Sequence, residues 1–205
     1  MHIPKPLPRG FYQRSVLVVA PDCLGKLLVH QLERETLIAK IVEVEAYRGP
    51  ADRAAHSYGG RRTARTEVMF GKAGIAYVFL IYGIHHHFNI VTGGIDEPEA
   101  VLIRAVEPLH GLTSTAINRE NAAKLSQLTN GPGKLCKAMQ IDRQHSGVDL
   151  CKPPLYIAEG TAPRHVRRTP RIGIDYAGVW ATRPWRWLDA DSPFVSQRRA
   201  VTREK

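Results

Sequence analysis

The sequence predicts a single α+β domain, and three observations carry that expectation. The chain has 205 residues, a length that favours one domain able to bury one continuous core. Segments of strand character come in runs instead of alternating regularly with helices, which argues against a doubly wound sheet. No internal repeat and no low-complexity block divides the chain.

Residues 1–10 are basic and proline-rich and read as a flexible, unanchored arm ahead of a domain over residues 11–205. Ser15 is placed to cap a short helix over residues 16–24, ended near Gly25. Residues 26–32 and 37–47 predict a strand pair joined at 33–36. Residues 49–65 are polar and glycine-rich, with turn signals at Gly49-Pro50 and Gly59-Gly60. They predict a long loop, and in a compact domain such a loop is usually functional or mobile. Residues 76–81 and 88–92 predict strands on either side of 82–87, and 100–106 predicts another. Residues 114–125 and 132–139 predict helices, the second with proline in its first turn. Residues 155–158 and 171–174 predict short strands, and the tail from Thr182 is rich in Pro, Trp and Arg.

Composition narrows the function. Hydrophobic residues at 43% and charged residues at 23% exclude a disordered chain. The apolar run over residues 76–82 is strand-sized, and no run is long enough to cross a bilayer. The N-terminus lacks the apolar stretch of a secretory signal. Cys23, Cys136 and Cys151 form no CxxC pair, which argues against a disulfide framework or zinc finger and fits a reducing compartment. The net charge is +10 and the isoelectric point about 9.8. Lys and Arg against a polyanion bind by releasing counterions. The basic residues recur at Arg61, Arg62 and Arg65, at Arg164, Arg167, Arg168 and Arg171, and at Arg183, Arg186, Arg198 and Arg199. The plainer alternative is a soluble basic protein with no polyanionic partner, since charge speaks to association and not to fold.

Several segments carry groups with chemistry. In residues 41–47 Val42, Val44 and Ala46 fall on one face and Glu43, Glu45 and Tyr47 on the other. Two glutamates on a strand are commonly a solvated outer face. The alternative is a carboxylate and an aromatic lining one pocket, as glycosidic hydrolysis requires to deprotonate water and to stabilise positive charge on the sugar. His56, in Ala54-Ala55-His56-Ser57, reads either as a hydrogen-bonded core residue or as a group against a bound base. Tyr77 and Phe79, taken alone, read as core. Tyr82-Gly83 lies where the chain must turn, so Tyr82 is expected at a tip, able to wedge into a base stack. His85, His86 and His87 invite a metal reading, but consecutive histidines rarely converge on one ion without a carboxylate or Cys at suitable spacing. Surface or phosphate-contacting imidazoles are the favoured alternative. Asn130-Gly131-Pro132-Gly133-Lys134 fails the Walker pattern, since Leu128 stands where its first glycine belongs. A helix start and a backbone phosphate contact both remain open there.

Residues 44–50 (Val-Glu-Ala-Tyr-Arg-Gly-Pro), 54–57 (Ala-Ala-His-Ser), 81–83 (Ile-Tyr-Gly), 88–90 (Phe-Asn-Ile), 102–108 (Leu-Ile-Arg-Ala-Val-Glu-Pro), 131–136 (Gly-Pro-Gly-Lys-Leu-Cys) and 171–174 (Arg-Ile-Gly-Ile) together resemble the alkyladenine (3-methyladenine) DNA glycosylase family. The matches run in order from about Phe11 to Ser196. The resemblance implies a curved, mainly antiparallel sheet with surrounding helices. It implies a monofunctional enzyme that flips alkylated purines, 3-methyladenine and 7-methylguanine, out of duplex DNA and hydrolyses the N-glycosidic bond. Hypoxanthine and ethenoadenine are substrates of some members. The abasic site left behind enters base excision repair.

The resemblance also implies residue roles. Glu45 activates the hydrolytic water, which Arg104 and the main-chain carbonyl of Ile172 help to hold. Tyr47, His56 and Phe79 sandwich the flipped base, with a hydrogen bond from the His56 backbone N–H. Asn89 crowds the exocyclic amino group of guanine. Tyr82 intercalates through the minor groove. Apart from the resemblance, Arg61 from its basic cluster and Lys134 from the glycine-rich turn are expected to contact DNA. No metal or other cofactor is expected. The expected partner is double-stranded DNA carrying damaged purines, bound by a monomer with no membrane association. Location is expected in the cytoplasm with the nucleoid in a bacterium, or in the nucleus of a eukaryote. Phe79 stands where tyrosine is better known, the 85–87 run replaces aromatic and sulfur-containing residues, and Tyr176 occupies a position that can be histidine. These departures bear on lesion preference. Competing readings are a non-catalytic damaged-base sensor of the same fold, a metal-dependent hydrolase built on the histidine run, and a bifunctional lyase glycosylase.

Overall fold

A computed structural model describes residues 4–111 and 125–196. Its helices are α1 (Arg9–Tyr12), α2 (Val16–Asp22) and α3 (Pro132–Ala138). Its strands are β1 (Leu27–Gln31), β2 (Thr36–Tyr47), β3 (Ala76–Ile81), β4 (His85–Thr92), β5 (Glu99–His110), β6 (Leu155–Ala158), β7 (Val166–Thr169) and β8 (Arg186–Asp189). They form one sheet in the order β3-β4-β5-β2-β1-β6, with β8 paired to β2 and β7 to β8. All these pairings are antiparallel, in an α+β architecture.

β2 organises the sheet. Residues 36–40 pair with β1, while Glu43, Val44 and Glu45 pair with β8 on the same edge. The opposite edge pairs with β5 between Ile38 and Tyr47. Where the neighbour changes, the register against β5 slips between Ile41 and Glu43 and slips back between Glu43 and Val44, leaving Val42 and Arg104 outside the pairing. A bulge of this kind breaks the period of two. Val42 therefore does not share the core of Val44 and Ala46, as strict alternation predicts. It packs with Ala105 and Phe194, while Ile41, Val44 and Ala46 join the main core.

The main core lies between the sheet and α2 and α3. It holds Tyr12, Val16, Leu28, Ile41, Phe88, Ile103, Leu135 and Met139, all fully buried. Ser15 caps α2 by accepting from the Leu17 N–H. Burying each of the larger aliphatic side chains contributes about 1.5–3 kcal/mol. α3 begins at Pro132 and packs on β4, and a side chain at Gly133 would bring its Cβ to 3.0 Å from His85. The thiols of Cys23 and Cys136 are free and buried, and burial pushes both up to about 12.

Several expectations change. From Pro6 onward the N-terminal arm is held: Pro6 bridges Ala158, Leu7 donates to the Ile157 carbonyl at 2.8 Å, and Arg9 pairs with Asp149 at 2.7 Å. β4 starts at His85, three residues before the expected start, because His85, His86 and His87 pair with Ile81, Leu80 and Phe79. Residues 171–174 are not a strand. The Ile172 N–H is taken by a glutamate carboxylate and Gly173 has φ of 74°, which no ladder accommodates. The strands of this region are β7 and β8 instead. The helix expected over 114–125 lies outside the described residues except for Leu125, which opens a 3-10 turn. Among the described residues no helix is long and apolar enough to cross a membrane.

Candidate active site

Glu43 and Glu45 do not face solvent; both side chains are completely buried. The C-terminal part of β2 is covered on both faces, by the core on one side and by the 171–174 segment and Ser196 on the other. Glu43 is held by the Nε groups of Arg104 at 3.1 Å and Arg186 at 2.7 Å, and by the hydroxyl and N–H of Ser196. Glu45 accepts the Tyr47 hydroxyl at 2.8 Å on Oε2, where Arg104 Nη1 also lies at 3.2 Å. Its Oε1 accepts the Ile172 N–H at 2.8 Å. Arg104, freed from strict pairing by the bulge, thus links the two carboxylates. An ionised carboxylate offers about four lone-pair sites. Among the described residues two hydrogen bonds and the Arg104 ion pair reach Glu45, fewer than those sites.

Tyr47, Ile172 and Arg104 also line a cavity of about 130 Å³. Glu45 is not in its wall; it is reached through these three groups that bind it. An engineered cavity of similar size, about 150 Å³, takes up benzene, so there is room here for a flat ring. The rest of the wall comes from three strands and two loops, including His56, Tyr77, Phe79, His87, Asn89, Leu102 and Tyr176. Phe79 stands edge-on to His56 with centroids 4.6 Å apart, and Tyr77 lies 5.3 Å from Phe79. The Tyr77 hydroxyl and His56 Nδ1 are hydrogen-bonded at 2.9 Å. Tyr77 and Phe79 are therefore wall and core at once, packed on Met69, Phe70, Val91 and Ala100. Asn89 is buried and its amide is fixed by donation to the carbonyls of Tyr77 at 3.1 Å and His87 at 3.4 Å.

The family profile of methylpurine-DNA glycosylase (MPG) matches residues 10–193. The chain belongs to the methylpurine-DNA glycosylase family. It is 49% identical over 200 residues to a protein of Desulfitobacterium hafniense (strain Y51), across 94% of this chain and 98% of the relative. It is 49% identical over 193 residues to one of Methanocella arvoryzae, across 94% and 96%. It is 48% identical over 201 residues to one of Bacillus mycoides (strain KBAB4), across 93% and 98%. Each of the three bears the name "Putative 3-methyladenine DNA glycosylase". The chain is an enzyme of the DNA glycosylase class, hydrolases of N-glycosyl bonds.

In this member of the glycosylase family the cavity keeps its aromatic walls uncharged. Burial, and after it the Glu45 carboxylate, raises the Tyr47 phenol well above 10, so it remains a donor to Glu45. Burial lowers His56 to about 4, with Arg65 and Arg61 acting in the same direction. Burial likewise lowers His87 to about 4, followed by Arg104, His85 and His56. Both imidazoles are neutral at physiological pH.

The remaining predicted residues lie around this cavity or beyond it. Tyr82 stands at the β3–β4 hairpin tip, 88% exposed, in the left-handed region with φ of 51°. Arg61 is exposed in a second, adjoining cavity that shares Ala54, His56 and Tyr176 with the first and also holds Arg53 and Arg65. Lys134 is exposed on the first turn of α3 and bonds Asn130 at 2.8 Å. The three consecutive histidines part company: His85 packs on Gly133, His86 lies near Asp142, and His87 enters the cavity. Among the described residues no three His, Cys, Asp or Glu side chains are grouped to hold a metal ion.

Three contributions escaped the sequence reading. Asp52 and Arg171 form a fully buried pair behind Tyr47, with the Arg171 guanidinium 4.7 Å from the centre of the Tyr47 ring. Arg65 covers the Phe79 ring at 4.7 Å. Ile172 offers Glu45 its N–H, where the resemblance assigned a role to its carbonyl. Arg65 was visible in the sequence only as a member of a basic cluster, and Arg171 as a member of another and as the first residue of the 171–174 motif, with no role given to either.

Proposed function

We propose that this chain releases methylated purines from duplex DNA by hydrolysis, taking 3-methyladenine and 7-methylguanine and leaving an abasic site for repair. The observation that carries the reading is Glu45. Taking a carboxylate fully out of water costs folding free energy, and the three groups that bind this one all line an aromatic cavity, which is not so for the equally buried Glu43. That arrangement supports a catalyst over a damaged-base sensor, which needs the walls but not the carboxylate.

The proposed sequence of events begins with Tyr82 entering the base stack and the damaged nucleotide rotating into the cavity. Damaged bases unstack and unpair at lower cost, which gives a first layer of selection. Arg61 and Lys134 hold phosphates. Tyr47, His56 and Phe79 enclose the base, stacking contributing about 1–3 kcal/mol per aromatic contact. Asn89 stands against the 2-amino group of guanine, which 7-methylguanine also carries, so discrimination between those two rests on the cationic charge that lets the methylated base leave. As the bond from the sugar C1′ to the base nitrogen breaks, positive charge develops on the sugar. A water oxygen bonds to C1′ and its proton passes to Glu45. The buried anion, in a site of low dielectric, stabilises the developing charge. A methylated purine cation leaves as a neutral base, so one carboxylate suffices.

The test is Glu45→Gln on a duplex with one 7-methylguanine. The variant keeps the shape and is expected to bind the duplex while losing base release by about a hundredfold or more. Release at the wild-type rate would remove Glu45 from the reaction.

A further inference from the structure

The 85–87 histidine run has no place in the function above, yet one of its members stands inside the cavity. His87 lines the wall directly across the strand pair from Phe79, with ring centroids 5.4 Å apart. Among the described residues neither of its ring nitrogens has a hydrogen-bond partner, whereas the other wall imidazole, His56, is bonded to Tyr77. His87 is also two residues from Asn89 on β4, so both side chains leave the same face of the strand, about 7 Å apart along it.

We propose that His87 is a specificity-determining residue that hydrogen-bonds the exocyclic group at position 6 of the everted purine. This rests on the glycosylase reading above, in which Asn89 stands at position 2. Positions 2 and 6 flank one edge of a purine ring, and two side chains spaced along one strand face can address both. A neutral imidazole carries one donor and one acceptor nitrogen. It can therefore donate to a carbonyl, as in 7-methylguanine and hypoxanthine, or accept from an amino group, as in 3-methyladenine. Burial keeps His87 in that neutral state, and Arg104 works in the same direction. An aliphatic or thiol side chain at this position would leave the position-6 group without a partner in a buried site. The pocket gains a contact that serves both purine families and holds the base with its edge against β4.

The experiment uses the full-length protein and two duplexes whose lesions differ at position 6 and in the N1 proton that accompanies it: 7-methylhypoxanthine, which has the carbonyl and N1–H, and 7-methylpurine, which has hydrogen at position 6 and no proton on N1. Single-turnover release is measured for the wild type, His87→Phe and His87→Gln, with each rate compared to wild type on the same lesion. His87→Phe is expected to slow 7-methylhypoxanthine by about tenfold or more and 7-methylpurine by less than about twofold. His87→Gln, which keeps a donor and an acceptor, is expected to recover much of the loss. An equal effect on both lesions, or none on either, overturns the proposal. If the wild type releases neither base, nor 7-methylguanine as a control, the glycosylase reading falls and takes this one with it. Unfolding midpoints of both variants, measured at the assay pH and expected to match the wild type, keep a folding defect from imitating the result.

Discussion

Asp52 and Arg171, 119 positions apart in the chain, meet as a two-pronged ion pair with both side chains fully out of water. The pair is a joint between two loops. Asp52 also accepts the N–H groups of Arg48 and Ala54, which fixes the turn leading to His56. Arg171 donates to the Ala46 and Trp180 carbonyls and lies against the rings of Tyr47 and Trp185. One contact thus sets the spacing between two walls of the cavity and the Ile172 N–H that reaches Glu45.

Asp52→Asn is accordingly expected to be severe. It leaves a buried guanidinium without its counter-charge, a loss of about 3–5 kcal/mol. Urea unfolding of variant and wild type measures it. A change below about 1 kcal/mol would mean the pair is dispensable to the fold.

Tyr47→Phe separates the two roles of the ring. The face that stacks on Arg171 and lines the cavity stays, and the hydroxyl donor to Glu45 goes. Base release is expected to fall by about tenfold while lesion-DNA affinity holds, since a hydrogen bond to a charged group is worth about 1.5–3 kcal/mol. Loss of affinity with an unchanged rate of release would place the hydroxyl in binding instead.

Stability should depend on acid through His56 and His87. Both lie at about 4 when folded, against about 6.5 for an unperturbed imidazole, with burial the largest cause. Between those values the unfolded chain binds protons that the folded chain refuses, so stability increases with pH across that window. The contribution is complete above about pH 6.5 and is lost as pH falls through about 4; for the pair it is on the order of a few kcal/mol. Denaturant midpoints measured from pH 7 to pH 4 should slope downward. His56→Gln and His87→Gln should each flatten the slope.

Tyr82 bears a conformational cost for its position. Its φ of 51° is uncommon for a bulky residue, and with 88% exposure its ring packs on little. Tyr82→Gly should therefore leave folding stability unchanged or raise it by up to about 1 kcal/mol. The same change should weaken binding to abasic-site DNA by about tenfold or more, through loss of a stacking contact. Unaltered affinity would count against the wedge.

The sequence by itself determined the local architecture: the capped α2, the β1–β2 hairpin, the strands on either side of Tyr82 and the proline-led α3. Each depends on neighbours within a few residues, where propensity, alternation and turn chemistry act. It also brought Glu45, Tyr47, His56, Phe79, Asn89 and Arg104 forward as a set, through a resemblance that survives as ordered short motifs. What alternation could not tell was which side of β2 is dry. A period of two distinguishes two faces and assigns neither to solvent, and on β2 both are buried. Tertiary structure alone decided that Arg104 slips out of register to join Glu43 to Glu45, that Ile172 turns its N–H inward, that Asp52 meets Arg171, and that His87 leaves its two neighbours for the cavity. These are contacts between residues tens to more than a hundred positions apart. Burial strengthens them by excluding water, and no local sequence pattern records which distant partner will close over a given side chain.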